Sequence, residues 1–423
     1  MSNKFNLIHS LTCIACSDIL IDPITLSCGY TICAHCFPIS SPSSIKKSVF
    51  KCPAPHCDAT THLFGPELSQ DVTITHLTQT LRQSLTCTNQ NPATEAQSFL
   101  PLLNCTACQN PVADPTTTPC GHTFCRLCLL QSKIETNGCK ICTRPLPKFA
   151  NLMSQPSNQV LSRLVKELQC AGCLPYNTRE TPLLDSFKLH QTNIPLFVSG
   201  KVVLPGQQAR LPIHTPAQFE QFSRALIPST RYNGLCLASV HRSHPHVAQF
   251  GTILQIVNAE QHNNSLLLQV VGVDRFRMNE FDTLADFDIL QEPSLSLVSM
   301  DISHDYIMEL ADSILQCIQY LSQPSSTNKA LHSQTAGLLG PLWLESMTSL
   351  HGPMPSKESP AAVCWWVAST LPVNENDLYV LLRTLSLADR LELVISWLQA
   401  YQSQWTSCRE RAIHAYLQVP QSL

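Results

Sequence analysis

Pairs of cysteines separated by two residues occur throughout the first part of the chain and predict metal binding. One stretch supplies seven thiols and one imidazole at short spacing, namely Cys105, Cys108, Cys120, His122, Cys125, Cys128, Cys139 and Cys142. Zn²⁺ binds four thiolate or imidazole ligands in a tetrahedron, so this set is the right size and chemistry for two zinc sites. A group of buried structural thiols would not explain the spacing.

The same pattern occurs twice in the sequence. A shift of 92 positions places residues 13–36 over residues 105–128, with 11 of 24 positions identical and all five cysteines coincident. The earlier copy supplies the thiols Cys13, Cys16, Cys28, Cys33, Cys36, Cys52 and Cys57. Two copies of one small zinc module are therefore the simplest interpretation.

The first copy lacks one ligand. Tyr30 stands where the second copy has His122. A phenol, whose pKa is about 10, is a poor zinc ligand near neutral pH. His56 or His62 could supply the fourth ligand, or the site could hold three thiolates and water, or be empty. We expect at least three zinc ions per chain and leave the fourth open.

Charge and length limit the class of protein. The 423 residues carry 27 Lys and Arg against 30 Asp and Glu, a net charge of −3. This balance argues against a nucleic-acid-binding protein, which needs a basic face. The length predicts several domains. No apolar run approaches the ~20 residues that span a bilayer, so we expect no membrane segment.

Cysteine usage indicates a reducing compartment. Of the 21 cysteines, 17 lie in residues 1–173, and no basic and apolar leader precedes them. Closely paired thiols in the cytoplasm or nucleus bind metal more readily than each other. The pair Cys170 and Cys173 has no second pair downstream, and HRSHPH at 241–246 resembles a polar turn. Four isolated thiols are expected in apolar cores, namely Cys236, Cys317, Cys364 and Cys408.

The remaining sequence predicts helices and a β-rich region. Asn158 is suited to cap a helix with an apolar face, which packs either on the zinc module or against a second copy of the chain. From Ile194 short β-branched runs are broken by Pro and Gly. Beyond Asp301 the apolar period becomes helical, as in residues 306–321 and 387–401. No phosphate-binding G-x4-G-K-[ST] motif is present.

The ligand pattern of the second copy resembles a RING finger of the C3HC4 type. The resemblance implies interleaved sites, with Cys105, Cys108, Cys125 and Cys128 at one zinc and Cys120, His122, Cys139 and Cys142 at the other. In this family an apolar residue commonly precedes the second ligand, and here it is Ala107, or Ala15 in the first copy. A cationic "linchpin" often follows the last ligand. Here Thr143 takes that place and Arg144 comes next, whereas the first copy has Asp58.

Residues 193–405 resemble the Lon N-terminal substrate-binding domain, in which a β-rich pseudobarrel precedes a helical bundle. The segments that carry the resemblance are IPLFVSGKVVLPGQ, GTILQI, VGVDRFRM and CWWVASTLP. Where relatives carry Ile-Phe-Glu-Pro, this chain has Ile213-His214-Thr215-Pro216. A role for that acidic side chain therefore does not transfer.

The combination resembles the family of Lon N-terminal domain and RING finger proteins. It implies a multidomain α+β chain: two zinc-stapled RING fingers, then a β-rich pseudobarrel with a C-terminal helical bundle. The expected boundaries are 11–64, 65–102 (helix and linker), 103–149, 150–192 (helix and linker), 193–405 and a tail at 406–423.

That family resemblance implies a RING-type E3 ubiquitin ligase. Its second RING would position a ubiquitin-charged E2, with Arg144 as candidate linchpin, and its Lon-like domain would recruit a client protein. No covalent intermediate on the chain's own cysteines is expected, and neither protease nor ATPase activity. The alternative is a non-enzymatic, zinc-dependent adaptor.

Overall fold

The computed structural model separates the chain into two compact units. One unit contains residues 1–183 and 258–266, and the other contains residues 184–257 and 267–423. The structure describes residues 7–37, 48–54, 57, 62–64, 69–86, 98–170, 172–174, 190–229, 231–232, 234–243, 246–262, 265–278, 284–290, 304–322 and 339–417. Residues 87–97, which are part of the predicted helix and linker at 65–102, and the candidate ligand His56 lie outside these residues.

The first unit contains the two repeated modules, and each is built on a short hairpin. In the first module β1 (Pro23–Thr25) pairs with β2 (Thr31–Cys33), and β3 (Ser48–Phe50) pairs with β4 (His62–Phe64). In the second module β5 (Pro115–Thr117) pairs with β6 (Thr123–Cys125). The helix α3 (Arg126–Thr136) follows β6, whereas only a 3-10 turn (Ala34–Cys36) follows β2.

Backbone conformation repeats along with the cysteines. Asp22 and Asp114, which are 92 residues apart, both adopt positive φ, at 45° and 48°. The glycines Gly29 and Gly121 do the same, at 81° and 84°. A left-handed conformation is uncommon outside glycine, so its recurrence at an equivalent Asp shows that the sequence repeat is also a structural repeat.

Further helices complete the first unit. They are α1 (Leu7–Ser10), α2 (Val72–Thr86), α4 (Phe149–Ser154) and α5 (Gln159–Cys170). The Oδ1 of Asn158 accepts a hydrogen bond from Leu161 N, which confirms the predicted cap of α5. Its apolar face is buried and consists of the predicted positions Val160, Leu161, Leu164, Val165 and Leu168. Helix α5 packs against α1 within the same unit.

The second unit begins with a curled sheet. Its strands are β7 (His190–Ser199), β8 (Gln208–Ile213), β9 (Ile227–Ser229), β10 (Gly234–Ser243), β11 (His246–His262), β12 (Ser265–Met278) and β13 (Leu284–Leu290). The order is β11-β10-β7-β13-β12-β8, and β11 also pairs with β12, which turns the sheet back on itself. Between β8 and β9, helix α6 (Pro216–Ala225) starts at Thr215, which forms a capping box with Gln218.

Helices form the rest of the second unit. They are α7 (His304–Ser322), α8 (Gly340–His351), α9 (Pro360–Thr370), α10 (Glu375–Arg383) and α11 (Leu387–Leu417). Helix α9 lies in the centre of their apolar core, since both Trp365 and Trp366 are buried with most of its other residues. The predicted fold class is confirmed: zinc-type modules, then a pseudobarrel, then a helical bundle.

A buried arginine connects the sheet to the helices. Arg275 Nη1 donates to the carbonyls of Leu382 and Thr384 at 2.9 and 2.7 Å, and its guanidinium lies 5.5 Å from the ring centre of Trp365. Removing it leaves two carbonyls without this donor. We therefore expect Arg275→Ala to lower the free energy of unfolding by about 2–4 kcal/mol.

The exposed Arg277, two residues along β12, provides the matched control. Arg277→Ala should change the free energy of unfolding by less than about 0.5 kcal/mol. All five tryptophans lie between residues 343 and 405, so tryptophan fluorescence during urea unfolding reports on the second unit alone. Equal losses in the two variants would contradict this role of Arg275.

Candidate metal centres

The structure brings the predicted thiols and imidazole into four groups. In each group, one ligand atom from every residue lies within 4.8 Å of the others. The groups are Cys13, Cys16, Cys33 and Cys36; Cys28, Cys52 and Cys57; Cys105, Cys108, Cys125 and Cys128; and Cys120, His122, Cys139 and Cys142. This is the interleaved arrangement that the RING resemblance implies.

The sulfur separations fit a zinc ion. Cys13 and Cys36 are 4.0 Å apart, Cys16 and Cys33 3.9 Å, and Cys108 and Cys125 3.9 Å. Tetrahedral Zn–S bonds of ~2.3 Å place neighbouring sulfurs roughly 3.8 Å apart. The cysteines of the described residues form no disulfide, so their sulfurs are available as thiolates.

His122 completes the second group of the second module. Its Nδ1 lies 3.4 Å from the sulfur of Cys120 and 3.6 Å from that of Cys139. Bonds of ~2.0 Å to nitrogen and ~2.3 Å to sulfur predict a separation of roughly 3.5 Å. Burial, together with the positive charge of Arg144, lowers the pKa of His122. The neutral imidazole that a metal requires is therefore favoured.

Backbone amides also point at the thiols. Ala113 N donates to Cys125 Sγ at 3.3 Å, and Cys125 N donates to Cys105 Sγ at 3.4 Å. In the first module Ile21 N and Cys33 N make the corresponding contacts. Such donors stabilise thiolates and orient ligands.

Burial opposes ionisation of these thiols when they lack a metal. It raises the pKa of Cys33 to about 12, with further contributions from Cys13 and Cys16. Burial likewise raises the pKa of Cys28 to about 12, with Cys52 and Cys57 nearby. A bound Zn²⁺ supplies the positive charge that makes deprotonation favourable, so metal binding and proton release are coupled.

The incomplete group of the first module differs from its counterpart at one position. Leu26 N donates to Tyr30 O at 2.8 Å, and Thr118 N donates to His122 O at 2.9 Å. The two backbones therefore make the same hydrogen bond, although the side chains at this position differ. Cys28 and Cys52 sulfurs are 3.8 Å apart. The described residues supply three thiols there, and the side chain of His62 lies outside the description.

Metal content is a direct test of these groups. Full-length protein purified without chelator should contain at least three zinc ions per chain, because three groups have four ligands each. Native mass spectrometry counts the ions on intact protein. Two ions or fewer would refute the two-module interpretation, whereas a fourth would assign metal to the group of Cys28, Cys52 and Cys57.

The other cysteines and the histidine-rich segment that the sequence singles out lie as follows. Cys170 and Cys173 are both exposed. Cys236 and Cys364 are buried core thiols as predicted, Cys317 is half-buried, and the side chain of Cys408 lies outside the description. Most of HRSHPH is strand and not the expected polar turn, because β10 runs to Ser243 and β11 starts at His246, while residues 244 and 245 lie outside the description.

The last zinc loop of the second module carries two exposed side chains. Arg144 donates from Nη1 to Ser69 Oγ at 3.0 Å. Ile141, between Cys139 and Cys142, is 48% exposed. Ile141 was not among the residues predicted from the sequence. Its place between Cys139 and Cys142, in a small zinc module with little apolar core, was the signal that would have identified it.

Comparison with protein families matches two segments of the chain. Residues 193–400 match the ATP-dependent protease La (LON) substrate-binding domain. Residues 105–143 match the RING-type zinc finger. A protein of Schizosaccharomyces pombe, "LON peptidase N-terminal domain and RING finger protein C14F5.10c", is 23% identical over 496 aligned residues, covering 95% of this chain and 96% of the relative. The chain thus contains both domains named in this relative, a Lon substrate-binding domain and a RING-type zinc finger.

Other similarities cover single parts of the chain. Mouse "E3 ubiquitin-protein ligase TRIM65" is 34% identical over 90 residues, which are 21% of this chain and 16% of that protein. A Lon N-terminal domain protein of Xanthomonas campestris is 21% identical, with TM-score 0.27, over 48% of this chain and 97% of that one. The N-terminal domain of Mycobacterium avium complex Lon protease is 13% identical, with TM-score 0.34, over 49% and 97%.

Within the described part of the chain, no helix is both long enough and apolar enough to cross a bilayer.

Proposed function

We propose that this protein is a RING-type E3 ubiquitin ligase whose second zinc module positions a ubiquitin-charged E2. The observation that carries the proposal is the complete second module, with two four-ligand groups and an exposed Ile141 and Arg144 on one of its loops. An exposed apolar side chain beside a cation suits a protein interface. The similarity of 90 residues to a mouse protein named as an E3 ubiquitin ligase supports the same function.

The chemistry required of such a ligase is positioning. The fifteen grouped residues are proposed as zinc ligands, so their thiols are engaged and none acts as a nucleophile. Ile141 would contact the E2, and Arg144 would donate hydrogen bonds to the E2 and its ubiquitin. Holding the thioester in a reactive geometry lowers the entropic part of the barrier to attack by an amine. Ser69 holds the Arg144 guanidinium in place before E2 binds.

Discharge of ubiquitin from charged E2s tests this proposal. Full-length protein should accelerate transfer from at least one E2 of a panel to free lysine. Arg144→Ala should reduce that rate by about tenfold, the effect of one lost charged hydrogen bond. His122→Ala should abolish it, because one zinc site loses a ligand. Zinc-loaded wild-type protein that accelerates no E2 would refute the ligase.

A non-enzymatic adaptor is the second candidate. The observation in its favour is that the first module differs from the second at two positions. Tyr30 replaces the histidine ligand, and Ala34 stands where the second module has Arg126. Arg126 is buried and donates to Leu152 O at 2.8 Å, besides pairing with Asp114. A zinc-loaded chain that binds a client and ignores every E2 would establish the adaptor.

The Lon-like domain is proposed to recruit the client protein. A pocket of about 560 Å³ opens between the end of helix α8, the start of α9 and β12. Apolar rings dominate its lining, with one acid and one imidazole at its edge: Trp365, Trp366, Pro353, Pro355, His351 and Glu358. Such a composition favours an apolar side chain of an extended peptide.

A substitution that fills the pocket tests client recruitment. Ala362 lines the pocket and is exposed, so Ala362→Trp should occupy it without disturbing the core. Binding of reduced, carboxymethylated lactalbumin, a permanently unfolded probe, should weaken by about tenfold. The control Ser346→Trp, at an exposed position of α8, should bind as wild type does. Equal binding by both variants would place the client elsewhere.

The described cysteines form no disulfide, which together with the proposed E2 partner is consistent with a reducing compartment, so we propose the cytoplasm or nucleus as the site of action.

A further inference from the structure

The two zinc modules meet around one buried carboxylate and one buried amide. Asp71 is fully buried and accepts hydrogen bonds from Thr25 Oγ1 at 2.7 Å and Thr117 Oγ1 at 3.1 Å. Its third partner is Asn158 Nδ2 at 3.0 Å. Thr25 belongs to the first module and Thr117 is its equivalent in the second, so one carboxylate binds the same residue of both modules.

The hydrogen bonds on either side of this carboxylate are duplicated. Thr25 contacts Thr31 at 2.9 Å, and Thr117 contacts Thr123 at 2.8 Å. Asn158 Nδ2 also reaches Thr25 Oγ1 at 3.2 Å and Thr117 Oγ1 at 2.9 Å. If the two modules were exchanged, the Asn158 amide would therefore take the place of the Asp71 carboxylate.

Asp71 and Asn158 are equivalent in the backbone as well. Asp71 N donates to Pro23 O and Asn158 N donates to Pro115 O, both at 2.7 Å. Each residue caps the helix that follows its own module, α2 or α5, through Oδ1.

The residues that follow cross to the opposite module. Val72 N donates to Gly121 O of the second module at 2.9 Å, and Gln159 N donates to Gly29 O of the first at 2.8 Å. The helices continue the exchange, since α5 packs on α1 at the start of the first module and α2 packs on the 3-10 turn that precedes the second. The contact is therefore reciprocal, as in a symmetric dimer.

We propose that the first zinc module is the built-in dimerisation partner of the second, and that Asp71 and Asn158 form the specificity pair of this contact. Two first modules from different chains would place two carboxylates about 3 Å apart in a buried site, where like charges cannot both ionise. Two second modules would place two amides there without the charged acceptor. The mixed pair supplies one strong acceptor and one donor, so it favours pairing within the chain.

The pairing gives the degenerate first module a role. The segment that leaves it contacts the zinc loop of the second, because Ser69 N donates to Pro119 O at 2.9 Å and Ser69 Oγ accepts from Arg144. Ser69 is thus a positioning residue for Arg144. The pairing itself does not depend on the ligase proposal.

Exchange of the two side chains tests the pairing in the full-length protein. Asn158→Asp creates the double carboxylate, Asp71→Asn creates the double amide, and the double variant restores a mixed pair in the opposite orientation. The first readout is the rate at which zinc is lost to a chromogenic chelator. The second is the midpoint temperature of unfolding, measured as the loss of hydrogen-exchange protection in residues 98–170. Neither requires an E2.

Asn158→Asp should lose zinc at least about tenfold faster than wild type, since an unpaired buried charge is strongly destabilising. Asp71→Asn should lose zinc at a rate between those of the wild type and Asn158→Asp. The double variant should return to within about twofold of wild type, because neighbouring residues that form one pair show non-additive effects. A double variant as unstable as the sum of its single substitutions would overturn the proposal. Loss of E2 discharge with this rescue intact would instead refute only the ligase.

Discussion

Removal of zinc is expected to unfold residues 7–174 while the second unit keeps its native structure. The modules have short hairpins and small cores, so metal binding supplies most of their stability. Each structural zinc site contributes roughly 10–16 kcal/mol of apparent binding free energy, so three sites together exceed the ~5–15 kcal/mol that stabilises a typical domain. Chelation should therefore leave no residual stability in this region.

Hydrogen exchange and tryptophan fluorescence distinguish the two units in one sample. After chelation, residues 98–170 should exchange at rates close to those of an unfolded chain. The fluorescence of the five tryptophans, all between residues 343 and 405, should stay at its native value. Adding Zn²⁺, and not Mg²⁺, should restore protection. Protection that persists in metal-free protein would show that the modules fold by packing alone.

Gly121→Ala is expected to be the most damaging single substitution outside the proposed ligands. Gly121 has a φ of +84°, and a methyl group there would lie 1.9 Å from Gln70 O. The backbone would have to move, and with it the hydrogen bond that Val72 N donates to Gly121 O. The left-handed conformation costs about 1–2 kcal/mol and the forced displacement about 1–3 kcal/mol, so the expected loss is roughly 2–5 kcal/mol.

Gly172 separates the clash from the cost of the backbone conformation. It also has a positive φ, +71°, but no atom lies within 4 Å of the position that a methyl group would take. Gly172→Ala should therefore cost only about 1–2 kcal/mol. Chemical denaturation followed by far-ultraviolet circular dichroism measures both. Equal losses would show that the close approach of Gln70 and Gly121 is not maintained in solution.

The spacing of the cysteines predicted zinc binding and most of the ligand pairs, because a pair separated by two residues can place both sulfurs on one metal. How the pairs combine into groups came from the RING resemblance and not from the spacing. The strands and helices of the second unit were also visible as local periodicity, for example in β12 and α7. These predictions depend on residues close together in the chain.

The contact between the modules depends on distant residues and was not predicted. Asp71 is 46 residues from both Thr25 and Thr117. Nothing in the local sequence of an aspartate that caps a helix shows that its other oxygen is shared by two modules. Helix α9 illustrates another limit. Most of its residues are apolar and buried, and only a narrow strip that includes Ala362 is exposed, so no amphipathic period marks it.

Position 215 shows how a departure from a family pattern becomes interpretable only in the structure. The sequence has Thr215 where relatives carry an acid, and the structure uses that threonine to cap α6 through a hydrogen bond from Gln218 N at 3.2 Å. Position 215 has to supply a hydrogen-bond acceptor for the first turn of α6, and threonine supplies one.

Matched substitutions in the two modules test the central claim most directly. Ile141 in the second module and Ile21 in the first are similarly exposed, at 48% and 46%. The measurement is single-turnover discharge of ubiquitin from a charged E2 by full-length protein with its zinc content verified. Ile141→Asp should slow discharge by more than about tenfold, because an E2 interface would bury the carboxylate. Ile21→Asp should stay within about twofold of wild type. The reverse order, or equal rates, would contradict recruitment of E2 by the second module.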